Sequence, residues 1–373
     1  MKIEFYKHNL GKDEKRMVLE CLDGIFLTTG SYVDSFEREF ASYLGEKYCV
    51  GLNSCTAALH LALLALGVGP GDEVITTPLT FIATATAILH TGAKPVFIDV
   101  EQDTGLMDPK LIDGAVTPKT KAVIPVHLYG QMCDMKRIKA AARKHHLKII
   151  EDAAHCIEGE RDGIRPGQLG DAACFSFYAT KNMTCGEGGA LVTNHRLVAE
   201  KVRMLRTHGM TKEAAKRYSG PYKHWDMTDC GWKYNMSNIE ASLLLPQIKK
   251  IGLNWATRER LYRQYQKALS GIPGVSCPKI AQRSKSALHL LTVWVDHRRR
   301  DALLKHFGDQ GIGVAVHYRP VHLLKYFRET FHFKKGDFPV SENIGSRTIS
   351  LPFWPGLTAG QVKHITAQLK AGL

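Results

Sequence analysis

Between residues 48 and 200 the sequence keeps switching its hydrophobic period, and that alternation limits the possible folds more than any other feature. Short apolar runs of strand character are "YCVGL", "EVITT", "KPVFIDV" (94–100), "KAVIPVH" (121–127) and "LKIIEDAAH" (147–155). Between them lie segments of helical character: "SCTAALHLALLAL" (54–66), "TFIATATAILHTG", "DPKLIDGAV" and "DMKRIKAAARKHH". Near-continuous apolar strands are those covered on both faces, and strand–helix–strand units join parallel strands. The expected class is therefore α/β, a mostly parallel sheet with helices on both sides. Helical periodicity returns at 195–206 and 236–272. Past residue 275 the rhythm changes: "ALHLLTVWVD" (287–296) reads as a strand, "RRDALLKHFGDQG" as a helix, "VAVHYRP" as a strand and 359–371 as a last helix. This predicts a large domain over 1–250 and a smaller α+β domain over 251–373, divided near 245–255.

Two glycine-rich readings drop out on order alone. "GVGPGD" (67–72) follows a helix and precedes a strand, the reverse of what a dinucleotide loop needs, so it reads as a helix cap and turn. There is no GxxxxGK[ST] phosphate loop. The nine cysteines are scattered and form no CxxC pair, which argues against a disulfide framework or a zinc site. No apolar run approaches the ~18 residues of a membrane span, and "MKIEFYKHNLG" lacks the apolar core of a leader, so residence in the cytoplasm is expected. The net charge of +14 is partly local: 201–223 holds Lys201, Arg203, Arg206, Lys212, Lys216, Arg217 and Lys223 against Glu213. Such a cluster suits a polyanion or a solvated face, and nothing resembles a helix-turn-helix, a zinc finger or an RNP motif.

In an open parallel sheet ligands gather at the C-terminal strand ends. Ser54, Cys55 and Thr56 sit where a strand ends and a helix begins, which suits either a phosphate or an ordinary N-cap. Asp152 closes another strand, with His155 one turn on; it could pair with a cationic ring nitrogen or cap a turn. Phe81 follows a third strand end and could stack on a flat cofactor or pack in the core. Then comes "FSFYATKNMTCGEGGALVTN" (175–194), where Lys181 stands between two apolar runs with Ser176 five residues before it. A desolvated ammonium is unfavourable unless it is paired or used. A phosphate cradle, a carboxylate, an aromatic ring and a lysine on one edge fit pyridoxal 5'-phosphate.

The chain resembles the DegT/DnrJ/EryC1/StrS family of pyridoxal-phosphate-dependent nucleotide-sugar aminotransferases. The resemblance rests on "TTGSYVDSFEREFA", "GLNSCTAALHLALLALGVGPGDEVITTPLTF", "PVFIDV", "PVHLYGQ", "IIEDAAH", "FSFYATKNMTCGEGGALVTN", "GWKYNMSNIEA" and "GVAVHYRPVH", in family order over nearly the whole chain. It implies the fold-type-I (aspartate aminotransferase-like) architecture with a seven-stranded sheet, and a homodimer with shared active sites. It assigns the covalent cofactor lysine to Lys181, the partner of the ring nitrogen to Asp152 and a ring contact to His155. Phe81 would stack, Cys55 (through its N–H), Thr56 and Ser176 would hold the phosphate, and Asn235 would reach the partner subunit's cofactor. Gly30, Ser31, His208, His317, Tyr318 and Arg319 fall in segments matching the substrate side. Family members that dehydrate at C3 carry histidine in place of Lys181, so the lysine implies amination. The implied reaction takes the amino group from L-glutamate, through pyridoxamine 5'-phosphate, to a nucleotide-linked keto-sugar. The position would be C4 of a UDP- or dTDP-4-keto-6-deoxy sugar or pentose, for lipopolysaccharide or other surface glycan. Alternatives are amination at C3, a non-catalytic cofactor-binding regulator, and a basic nucleic-acid-binding protein.

Overall fold

The computed structural model describes residues 2–211 and 224–373; Lys212, Glu213, Lys216, Arg217 and Lys223 of the basic stretch lie outside the described residues. Strands β1 (Tyr48–Leu52), β2 (Glu73–Thr76), β3 (Lys94–Phe97), β4 (Thr120–Val123), β5 (Lys148–Asp152), β6 (Ala172–Ser176) and β7 (Gly189–Thr193) form one seven-stranded sheet. Its order is β1-β7-β6-β5-β4-β2-β3. All strands run parallel except β7, which pairs antiparallel with both β1 and β6. Every residue of β6 and β7 is buried, as expected of strands covered on both faces.

The helices cover the sheet according to their apolar pattern. Helix α1 (Lys12–Leu22) and helix α2 (Ser31–Leu44) lie on one side; α2 buries Val33, Phe36, Phe40, Ala41 and Leu44, one face of a 3.6-residue repeat. Phe36 and Phe40 meet Phe177 edge-on with centroids 5.4 and 5.5 Å apart. On the other side α3 (Cys55–Ala65) buries seven consecutive residues, Ala57–Leu63, with Ala87 and Ile88 of α4 (Ile82–His90) in the same core. An all-round apolar helix of this kind is stable only when enclosed.

After α5 (Asn238–Ile248) the chain passes at once into α6 (Ile251–Leu269). The sequence reads as one helical stretch here; Pro246 lacks the N–H that would bond back to Ser242, and the helix stops two residues later. A second core gathers Leu261, Tyr265 and Leu269 of α6 with strands β8 (Leu291–Trp294) and β9 (Thr348–Leu351) and with helices over 297–309 and 359–372. Residues 314–320, expected as a strand, make only an isolated bridge between Ala315 and Ser350. Pro320 cannot donate, and the His317 carbonyl is taken by the hydroxyls of Tyr129 (2.6 Å) and Thr348 (3.2 Å) instead of a ladder. The N-terminal segment adds what the sequence did not suggest. Ile3 pairs in parallel with Ile312 and is buried in this second core.

Candidate active site

The C-terminal ends of β1, β5 and β6 and the turn after β2 open on one cavity of about 470 Å³. Ser54, Cys55, Thr56, Phe81, Asp152, His155, Ser176, Lys181, His317 and Tyr318 all line it, so ten residues from five separated segments converge. This is the crevice position expected of an open α/β sheet.

At the β1 end, the Ser54 hydroxyl accepts the Ala57 N–H at 3.1 Å and caps α3. The N–H groups of Cys55 and Thr56 make no bond within the chain among the described residues, which leaves an anion-binding helix terminus facing the cavity. Strand β7 passes close behind. A Cβ on Gly189 would lie 2.2 Å from the Ser54 carbonyl carbon, so only glycine lets the strand approach. Ser176, at the end of β6, is buried beside this terminus in the cavity wall.

Asp152, also buried, closes β5. Its Oδ1 accepts the Ala154 N–H at 3.1 Å, and its Oδ2 accepts the Thr84 hydroxyl at 2.7 Å. The Thr84 hydrogen is used on Asp152, so Thr80, 2.7 Å from Thr84, donates in turn. Sequence reading missed both threonines. Their signal was two hydroxyls four residues apart, one on an otherwise apolar helix beside a strand end.

Lys181 follows β6 in a turn closed by its own N–H on the Tyr178 carbonyl (2.9 Å). Its ammonium makes no hydrogen bond or ion pair among the described residues. Burial lowers its pKa to about 8, against weaker opposing effects of Cys55 and Asp152. The next residue holds the turn. The Asn182 amide donates to Glu158 (2.9 Å) and to the Ala287 carbonyl (2.8 Å), and its oxygen accepts from His289 Nδ1 (3.1 Å). Buried Arg258 pairs with Glu158 at 3.3 Å and donates to the Asn182 carbonyl at 3.1 Å. His289, unanticipated from sequence, lies 4.4 Å from His155 between ring centroids. Burial holds both imidazoles well below their ordinary pKa, so both are neutral. His155 Nε2 is hydrogen-bonded to the Tyr318 hydroxyl at 3.1 Å, while buried Nδ1 has no partner among the described residues. Phe81 is half exposed at the mouth, 6.0 Å from the Tyr318 ring.

These features fit pyridoxal phosphate: a free helix terminus and hydroxyls for the phosphate, an anchored carboxylate for the ring nitrogen, neutral and aromatic rings for its faces, and an unpaired amine. Other residues named from the sequence lie elsewhere. Asn235 bonds the Thr29 hydroxyl at 2.8 Å, next to Gly30, the N-cap of α2, and to Ser31. His208, in a left-handed conformation (φ 63°), donates its N–H to the Trp232 carbonyl. Arg319 is exposed and bonds the Leu323 carbonyl at 3.3 Å. None of these five lines the cavity.

Residues 8–370 match the DegT/DnrJ/EryC1/StrS aminotransferase family. The spore coat polysaccharide biosynthesis protein SpsC of Bacillus subtilis is 43% identical over 362 residues, which cover 95% of this chain and 93% of SpsC. DesV of S. venezuelae, solved in complex with a ketimine intermediate, is 34% identical with a TM-score of 0.89, over 96% of this chain and 93% of DesV. The PMP form of a sugar aminotransferase (Spr1654) from Streptococcus pneumoniae is 30% identical with a TM-score of 0.94, over 100% and 99% of the two chains. The chain belongs to the DegT/DnrJ/EryC1/StrS family and is a pyridoxal-phosphate-dependent sugar aminotransferase of fold type I.

Proposed function

We propose that this enzyme moves the amino group of L-glutamate to the C4 ketone of a UDP- or dTDP-linked 4-keto-6-deoxy sugar or pentose, in the making of lipopolysaccharide or another surface glycan. The observation that carries the reading is the buried, unpaired Lys181 between a free helix terminus and the anchored Asp152.

Bound pyridoxal phosphate supplies an electrophilic aldehyde and an electron-withdrawing ring. The chain does the rest. The N–H groups of Cys55 and Thr56 and the hydroxyl of Ser176 hold the phosphate. Asp152, oriented by Thr84 and Ala154, keeps the ring nitrogen protonated. With the cofactor bound, Lys181 would hold its aldehyde, and the neutral amine of Lys181, once released, would be placed to take the proton from Cα of glutamate and to return one to the sugar carbon that receives the amino group. A pKa of about 8 leaves a useful fraction of free amine at neutral pH. His155 and Phe81 flank the ring.

Both substrates are anionic, yet Lys181 is the one lysine or arginine lining the cavity among the described residues. Further groups therefore come from outside it, which supports a homodimer with shared sites. Asn235, with Gly30 and Ser31, belongs to the surface that completes the partner's site, and Phe81 and Tyr178, exposed at the mouth, are the surface it covers. The division into 1–250 and 251–373 puts the cofactor contacts on the first part and His317, Tyr318 and Arg319 on the second. Loading the protein with pyridoxamine phosphate and screening UDP- and dTDP-linked 3-keto and 4-keto sugars by mass spectrometry tests the reading. Amination of a 4-keto substrate is expected. Amination at C3 alone would move the position, and failure of glutamate to convert the cofactor would leave a non-catalytic binding protein.

A further inference from the structure

The N-terminal segment is built onto the second core and reaches the cavity. The Ile3 N–H donates to the Gly311 carbonyl at 2.9 Å, and the Gly313 N–H donates to the Ile3 carbonyl at 2.8 Å. Ile3 is buried, and the Trp354 indole donates to the Glu4 carbonyl at 3.2 Å. A Cβ on Gly313 would come within 2.6 Å of the Phe5 nitrogen, so the two backbones are in close contact. Four attachments over three residues hold a short strap in register. The residue this delivers is Phe5, which lines the same cavity as Lys181 and stacks on His317, with ring centroids 5.7 Å and planes 23° apart.

His317 is itself fixed, with Nδ1 2.9 Å from the Ser350 hydroxyl, and burial lowers its pKa to about 4, so its ring is neutral. Phe5 and His317 thus present an uncharged aromatic wall in the cavity. Such a wall offers nothing to the carboxylates of an amino acid. It does suit the C–H face of a pyranose ring, whose axial hydrogens pack on aromatic carbon without leaving a hydroxyl unpaired.

We propose that Phe5 is a sugar-contacting, specificity-determining residue: the strap closes one side of the substrate pocket with a ring that packs on the carbohydrate part of the nucleotide sugar. This rests on the nucleotide-sugar reading given above. The strap's register is set by Ile3 and not by Phe5, so the side chain can be changed while the backbone attachments stay.

The test compares binding of UDP-glucose with UDP, and of dTDP-glucose with dTDP, by titration calorimetry on the full-length, cofactor-loaded protein. The ratio of the nucleotide Kd to the nucleotide-sugar Kd isolates the sugar's share. Phe5→Ala is expected to lower that ratio about five- to tenfold, and Phe5→Leu, which keeps bulk but no ring, by less. Cofactor absorbance and the melting temperature report that the variants fold. As a second measurement, Phe5→Trp puts a fluorophore at the wall, and its emission should respond to UDP-glucose or dTDP-glucose but not to the free nucleotide. An unchanged ratio in Phe5→Ala, or a Trp signal blind to the sugar, overturns the role of Phe5 alone. A wild-type protein that binds none of the four ligands overturns the nucleotide-sugar reading, and the role of Phe5 with it.

Discussion

A lysine kept buried and unpaired for chemistry should make the empty fold less stable, and the size of that effect follows from its pKa. Burial penalises the ammonium of Lys181 and lowers its pKa in the folded chain from the ordinary 10.5 to about 8. The unfolded chain therefore holds more protons between about pH 8 and 10.5, and stability rises with pH through that window. Burying the ammonium or shedding its proton costs about 3 kcal/mol at pH 7, below the window, and about 1 kcal/mol at pH 10, near its upper end. Lys181→Met keeps the length and volume of the side chain and removes the charge. In cofactor-free protein the variant should be more stable than wild type by about 3 kcal/mol at pH 7, shrinking to about 1 kcal/mol at pH 10. Urea denaturation of both proteins at the two pH values measures it, and the difference between pH values cancels the packing change of the substitution. A variant no more stable than wild type at pH 7, or a stability gain that does not shrink with pH, would refute the claim that Lys181 is held desolvated.

Two other outcomes follow from the site's geometry. Thr84→Val preserves shape but removes the hydroxyl on Asp152; losing a hydrogen bond to a charged group is worth about 1.5–3 kcal/mol, so the cofactor should bind about ten- to a hundredfold more weakly by equilibrium dialysis. An unchanged Kd would mean that Asp152 does not carry the ring nitrogen. If sites are shared, mixing Lys181→Ala and Asn235→Ala subunits should restore about a quarter of wild-type turnover. Half of the randomly formed dimers then carry one intact site of two. No recovery would put Asn235 outside the active site.

The parallel strands were legible because each is a short apolar run ended by polar or glycine-rich turns, and their carboxyl ends carried Asp152, Ser176 and Thr56 into view. The order of strands was not, because β7 enters between β1 and β6 through long-range pairing that no local period encodes. The same limit hid His289 and Phe5: each reaches the cavity from the second core, 108 and 176 residues from Lys181 in sequence. His317 and Tyr318 were legible only through the family resemblance, since their segment reads as a strand and is used as a loop. Asn182 was hidden for another reason. A polar residue after a lysine looks like any turn, and its meaning appears only once Glu158, Arg258 and His289 are seen around it.

Reduction of the pyridoxal-phosphate-loaded protein with borohydride, followed by proteolysis and mass mapping, tests the central claim most directly. The pyridoxyl mass should appear on the peptide containing Lys181 and vanish in Lys181→Ala. A label on any other lysine, or none in a protein that binds the cofactor, would contradict the role assigned to Lys181.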